Sequence, residues 1–365
     1  MAMPTPSHLC EPPNFAHLRR LSTDVGVWQH TSGEHPDVPM GYSIDDVARA
    51  LIVVNHAVRL FPSLDAPAAT DTRTLGDLAV ISLRFLETFQ RPDGRFHNFV
   101  SAEGTPRDPV GSEDSFGRTL WALGDTMAFG ITREQRTTAA LLFQKASPHL
   151  LTSHFLRTNA FLIVGLTRAL SVHQEPLWRT ALIQLLKELI EHFRDSSGPG
   201  WKWFENNLRY SNGVLPFALF LGAEVVSDID RGLSLEARSV AQQSLDFLLQ
   251  EAQHEGVPAP IGNNGWYERG KTKALFDQQP VDAAAMVLAC VEASRHLGEQ
   301  RYRDQGEAWL RWYEGNNVLQ QPLLEDDGSV HDGLSEGGVN QNRGAEAVVT
   351  YLLARLHWIE FRCRC

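Results

Sequence analysis

The chain has 365 residues, and 33 Lys plus Arg against 44 Asp plus Glu leave a formal charge of −11. That balance, with no run of Lys or Arg, excludes the basic footprint that a nucleic-acid surface requires. Apolar residues at 43% and charged residues at 21% are ordinary globular usage, enough to bury a sizeable core.

The N-terminus has no basic start followed by an apolar stretch. The longest apolar run, near Gly213 to Ala223, falls short of the roughly 20 residues of a membrane helix, so the chain reads as soluble and cytoplasmic. Four cysteines in a chain this long do not make a disulfide-dense scaffold: Cys290 lies in the apolar run AAAMVLACV and reads as a core thiol, and Cys363 and Cys365 read as part of a tail.

Helical spacing recurs along the whole chain, without the sustained alternation of a sheet. FAHLRRLS, residues 15–22, is a first short amphipathic segment, and DDVARALIVVNHAV from Asp45 is apolar nearly all round. Amphipathic runs then occupy residues 72–90, 133–145, 176–194, 234–253 and 302–315. Between and after them lie apolar, small-residue runs starting at Asp114, Asn159, Gly213, Val281 and Gly344. The first kind wants one face in water, and the second wants to be surrounded. Strict alternation of the two predicts six helix pairs closed into an all-α (α/α)6 toroid, with six inner and six outer helices. One domain over residues 12–360, with tails at 1–11 and 361–365, accommodates the pattern.

A second repeat lies in the connections leading into the inner helices, where a turn and a glycine are followed by an aromatic or apolar residue. Copies appear as DVGVWQH, PDGRFHNF, GPGWKWFE and NNGWYERG, with a weaker one in DDGSVHDG. Turns of this type followed by alternation predict short β-hairpins. These connections are the long ones, and long loops in compact folds tend to be functional, so the site is expected where the inner helices begin.

Carboxylates crowd that end: Asp45, Asp46, Glu113, Asp114, Glu205, Asp277, Asp282, Asp332 and Glu336. Taken singly each fits helix capping, and Ser43 with Asp46 even fits a capping box. Taken as a set they would share one cavity mouth, where like charges oppose joint ionisation and leave one acid protonated near neutral pH. A protonated acid beside an ionised one is the equipment of glycosidic bond cleavage. Asp46, Glu113, Asp114, Glu205 and Asp277 form the candidate catalytic pool. Trp28, Tyr42, Trp203 and Trp266 supply aromatic surfaces, and Gln278, Gln279, Asn340 and Asn342 supply neutral donors and acceptors. With Asp45, Arg49, Arg118, His30, His97 and Asp332 they suit a hydroxyl-rich ligand better than a phosphate, which would want clustered Arg or Lys. The 14 His residues include no H-x-x-x-H pair, and no phosphate loop or nucleophile elbow is present, so neither metal nor cofactor is expected.

The blocks GYSIDDVARAL, SEDSFGRTLWALG, WFENNLRYSN, GWYERG, FDQQPVDAAAMV and DGLSEGGVNQNRGAEAVVTYLLA cover nearly the whole chain. They resemble a bacterial (α/α)6-toroid, glycoside-hydrolase-like domain family found fused to, or encoded beside, GT-B type glycosyltransferases. The resemblance implies oligosaccharide processing, with Asp45, Asp46, Glu113, Asp114, Glu205, Asp277 and Asp332 as the matching acids. It also implies Gln278, Gln279, Asn340 and Asn342 as sugar contacts. The chain departs from that pattern at Val47, where Asn is expected, and at Asn206 and Ser211, where acids are expected; these changes bear on substrate identity. The leading reading is a metal-independent glycoside hydrolase acting on a bacterial oligosaccharide or polysaccharide. The alternatives are a non-catalytic sugar-binding module partnering a glycosyltransferase, and a sugar epimerase in which His or Tyr moves a proton at a sugar carbon.

Overall fold

The structure is a computed structural model that describes residues 7–33, 35–65 and 73–362. Among the described residues twelve α-helices run in chain order: α1 (Ala16–Leu21), α2 (Ile44–Leu60), α3 (Leu75–Thr88), α4 (Glu113–Phe129), α5 (Arg133–Ala146), α6 (Leu156–Leu170), α7 (Pro176–Ser196), α8 (Val214–Val225), α9 (Arg231–Glu251), α10 (Pro280–Leu297), α11 (Gln300–Trp312) and α12 (Ala345–Arg362). The even-numbered helices pack each on the next, and α12 returns onto α2, so the inner ring closes. Each odd-numbered helix lies outside, and the short α1 packs on α12 as the sixth outer member. The chain is an (α/α)6 toroid. Cys290 is fully buried in α10, whereas Cys363, Cys365 and Thr72 lie outside the described residues.

Local chemistry fixes the ends of the outer helices. Thr74 with Asp77, and Thr132 with Gln135, form capping boxes at α3 and α5, and the Asp230 side chain caps α9. Inner helices are buried on almost every face and approach closely. A Cβ added at Gly124 of α4 would overlap the carbonyl oxygen of Gly165 on α6, and one at Gly165 would crowd Leu120 O. Gly124→Ala should therefore destabilise the ring by about 1–3 kcal/mol through overpacking, read as a lower urea midpoint.

Four of the predicted hairpin copies close locally, through antiparallel bridges Ser22 with Val27, Gln90 with Phe96, Gly198 with Trp201 and Leu324 with Val330. The NNGWYERG copy differs, because Tyr267–Glu268 pairs with Asn207–Leu208 of the preceding long loop and ties two loops together. Among the described residues no helix is long and apolar enough to cross a membrane.

At the opposite end of the ring, buried histidine–carboxylate hydrogen bonds join inner helices. His56 of α2 meets Asp125 of α4 at 2.9 Å, and His357 of α12 meets Glu292 of α10 at 2.9 Å. Burial opposes the Glu292 charge, but the His357 hydrogen bond and the charges of His357 and Arg295 outweigh it and hold the carboxyl at about 2, below its ordinary 4.5. A depressed carboxyl contributes stability above its unfolded pKa and loses it as pH falls through the folded value. Glu292→Gln should thus be destabilised at pH 7, with the deficit shrinking as pH falls through the acid range in a thermal-unfolding series.

Candidate active site

The N-terminal ends of the inner helices surround a cavity of about 350 Å³. Its acids are Asp45 and Asp46 in the first turn of α2, Asp114 in that of α4, Glu346 in that of α12, and Asp332 from the loop before α12. Arg49 and Arg118, one turn further into α2 and α4, supply the positive charge.

These acids do not cap their helices. Ser43 makes no side-chain cap bond, so the Ser43–Asp46 capping box is not formed, and α4 is capped by Ser112 through Ser115 N. Asp46 turns instead to Arg49. One guanidinium nitrogen, Arg49 Nη2, donates to Asp45 Oδ2 at 3.0 Å, Asp46 Oδ1 at 2.9 Å and Glu346 Oε2 at 2.9 Å. No two of those oxygens can be further apart than twice such a distance. Arg118 Nη1 adds a bond to Asp45 Oδ2 at 2.5 Å and lies 3.8 Å from Glu346. Burial pushes the Asp46 carboxyl well above the usual range; Arg49 opposes the shift, and Asp45 and Glu346 reinforce it.

Asp114 accepts from the Tyr210 hydroxyl at 2.5 Å and from Thr158 Oγ1 at 2.9 Å. Tyr210 is set by Arg157 of α6, whose guanidinium donates to Tyr210 O at 2.6 Å and lies 5.1 Å from the ring centroid. Burial and the Asp114 charge push the Tyr210 phenol far up, so it donates and does not act as a base. Asp332 accepts from Gly344 N at 3.0 Å and from Asn342 Nδ2. Its burial, with the Glu346 charge adding and the Gly344 bond opposing, raises its carboxyl to about 6. Trp266 joins the lining with φ +57, a left-handed backbone that an indole does not normally adopt.

Of the sequence-predicted residues, His30, Asp45, Asp46, Arg49, Asp114, Arg118, Trp266, Gln279 and Asp332 line the cavity. The others stand elsewhere. Glu113 is exposed at the first position of α4, and Glu205 is taken up by Arg157 at 2.6 Å. Asp277 is half-buried outside the lining. Trp203 is wholly buried against Phe204, and half-buried Trp28 stacks on buried Tyr42 at 4.3 Å, so these rings pack in the loops outside the cavity lining. His97 bonds Asp108 O at 2.8 Å, and Gln278 is buried between Leu275 O and the Trp312 indole. Asn340 is exposed and accepts from Asn342 N, and the Asn342 amide is taken up by Thr31, Asp332 and His30. Sequence reasoning missed Glu346, Tyr210, Asn98 and Asn263 as lining residues. Among the described residues no three of His, Cys, Asp and Glu are arranged to hold a metal ion.

No protein-family model matches the chain, and no curated protein matches it. Solved structures do. A sugar epimerase from a ruminal bacterium superposes with a TM-score of 0.74 at 13% identity, covering 98% of this chain and 98% of that one. Cellobiose 2-epimerase from Bacillus thermoamylovorans B4167 gives 0.73 at 11% identity over 97% of each chain. A GH76 α-mannanase of Bacteroides thetaiotaomicron gives 0.64 at 11% identity, covering 98% of this chain and 96% of that one. The likeness is one of fold. The structures that share it are named for more than one reaction, epimerisation and mannan hydrolysis among them, and none of those names includes a glycosyltransferase.

Proposed function

We propose that this chain is a glycan-processing enzyme that cleaves a glycosidic bond by paired-carboxylate catalysis, with Asp332 as general acid and Glu346, held by Arg49, as the second carboxyl group. One observation carries the reading. Across a single cavity, burial raises Asp332 to about 6, while Glu346, its charged neighbour, is ion-paired to Arg49 and lies near Arg118. A carboxyl raised by burial beside a second carboxylate held by arginines supplies a proton donor and a base or nucleophile. Asp114, braced by Tyr210 and Thr158, and Trp266 would hold the sugar against them.

The test is a screen for reducing-sugar release from mannosides, glucosides and galactosides. Product from one class that disappears in Asp332→Asn supports the proposal, and no product from any class counts against it. An oligosaccharide that binds and stays intact would favour the accessory module beside a glycosyltransferase.

A sugar epimerase is the second reading, and the epimerase structures that match nearly the whole chain favour it. It needs a base at a sugar carbon, and His30 is the imidazole on the cavity wall. Deuterium uptake at a sugar carbon in D₂O, without bond cleavage, would establish it over the first.

A further inference from the structure

At the seam of the ring, where the loop after α1 meets the loop before α12, the Asn342 amide bonds residues of both loops. The backbone N–H of Thr31 donates to Asn342 Oδ1 at 2.8 Å, and the Thr31 hydroxyl donates to the same oxygen at 3.0 Å while accepting from Arg343 N at 2.8 Å. A backbone N–H can only donate, so the oxygen of the Asn342 amide is the atom facing Thr31. Its nitrogen then faces the other way, toward Asp332 Oδ2 and toward His30 Nδ1 at 3.0 Å. An amide NH₂ has two protons and no lone pair to offer. His30 Nδ1 must therefore accept, and a neutral imidazole that accepts at Nδ1 carries its one proton on Nε2.

Nε2 is the nitrogen left for the cavity: His30 lines it, and among the described residues no protein group bonds that atom. The closeness of the two loops is built in, since a Cβ on Gly344 would stand 2.6 Å from Gln29 O, and Ala345 N donates to that same carbonyl at 3.0 Å.

We infer that Asn342 is a positioning residue that locks His30 as its Nε2–H tautomer, so that His30 presents the cavity with one hydrogen-bond donor and no lone pair. Its partner is an acceptor oxygen of the ligand, such as a ring, glycosidic or carbonyl oxygen. His30 in this form takes no proton from a sugar carbon, and an epimerase reaction at this site would need a carboxylate as its base. The choice of an acceptor oxygen rests on the proposed use of the cavity by a sugar. The tautomer itself is a property of the free protein.

Long-range ¹H–¹⁵N spectra of the full-length ¹⁵N-labelled protein above pH 8 test it, with the His30 signals assigned by their loss in His30→Gln. The expected result is a protonated, pyrrole-type Nε2 and a pyridine-type Nδ1 far downfield of it. In Asn342→Asp the new carboxylate accepts from Nδ1, and the pyrrole-type signal should appear there. A wild-type spectrum with the proton on Nδ1, or an equal mixture of the two forms, overturns the inference, and that spectrum decides even if the Asn342 variant fails to fold. Absence of glycoside cleavage would overturn the proposed function and leave the tautomer standing, so the two failures are distinguishable.

Discussion

With Asp332 as the proposed general acid, Asp332→Asn should lower kcat/KM for unactivated glycosides by about 10²- to 10⁴-fold, the usual contribution of a positioned general acid. The loss should shrink for activated aryl glycosides, whose leaving oxygen departs without a proton. The pH profile gives an independent sign. The acid must be protonated to act, so wild-type kcat/KM should fall as pH rises through about 6, the value to which burial raises Asp332. In the Asn variant that alkaline limb should vanish from whatever rate remains. Initial rates on an alkyl and a nitrophenyl glycoside across pH 4 to 9 would check both. An equal loss on both substrates, with the alkaline limb retained, would remove Asp332 from the acid role. Both Asp332 oxygens accept from N–H groups, Gly344 N at Oδ1 and Asn342 Nδ2 at Oδ2, so Asn replaces one acceptor by a donor, and thermal unfolding of the variant is measured beside its rates.

The toroid was readable because it is written in the periodicity of the helices. An inner helix such as α10, buried from Pro280 through Ser294 apart from Val281, has to be apolar on every face, whereas α7 or α11 needs only a stripe. The location of the site was also readable, since acids at the starts of inner helices share one mouth by construction. Which acid faces the cavity was not. Glu113 and Asp114 are neighbours in sequence, but successive residues on a helix point about 100° apart, and only Asp114 reaches Tyr210 and Thr158. Glu205 looks as free as the others until Arg157, 48 positions earlier, is brought to it by the packing of α6. Trp203 and Trp266 carry the same residue type in comparable loops, yet one is wholly buried and the other is turned to the cavity by a left-handed backbone that no local pattern announces. Glu346 bears the helix-start signal of the other acids, and its role emerges only where α12 returns to α2 and sets it on Arg49.

That closure makes Arg49 the residue whose loss should cost most in stability. Its side chain is 3% exposed, and a single nitrogen contacts Asp45, Asp46 and Glu346, drawn from the first and last inner helices of the ring. Arg49→Met fills similar volume but leaves Asp45 with Arg118 alone and Asp46 with no cation at hydrogen-bond distance. Removing one member of a buried ion pair typically costs about 3–5 kcal/mol, because the remaining charge stays out of water without compensation. The sign with pH follows from the same cause. Protonation discharges the stranded carboxylates, so the deficit of Arg49→Met relative to wild type should be largest near pH 8 and diminish toward pH 4. Adding Asp46→Leu should recover part of the loss, and the double-mutant cycle should show strong coupling between the two positions. Urea unfolding of the four proteins at the two pH values measures this. A deficit that is independent of pH and simply additive with Asp46→Leu would mean that Arg49 acts through packing, and that the charges at the cavity floor are balanced without it.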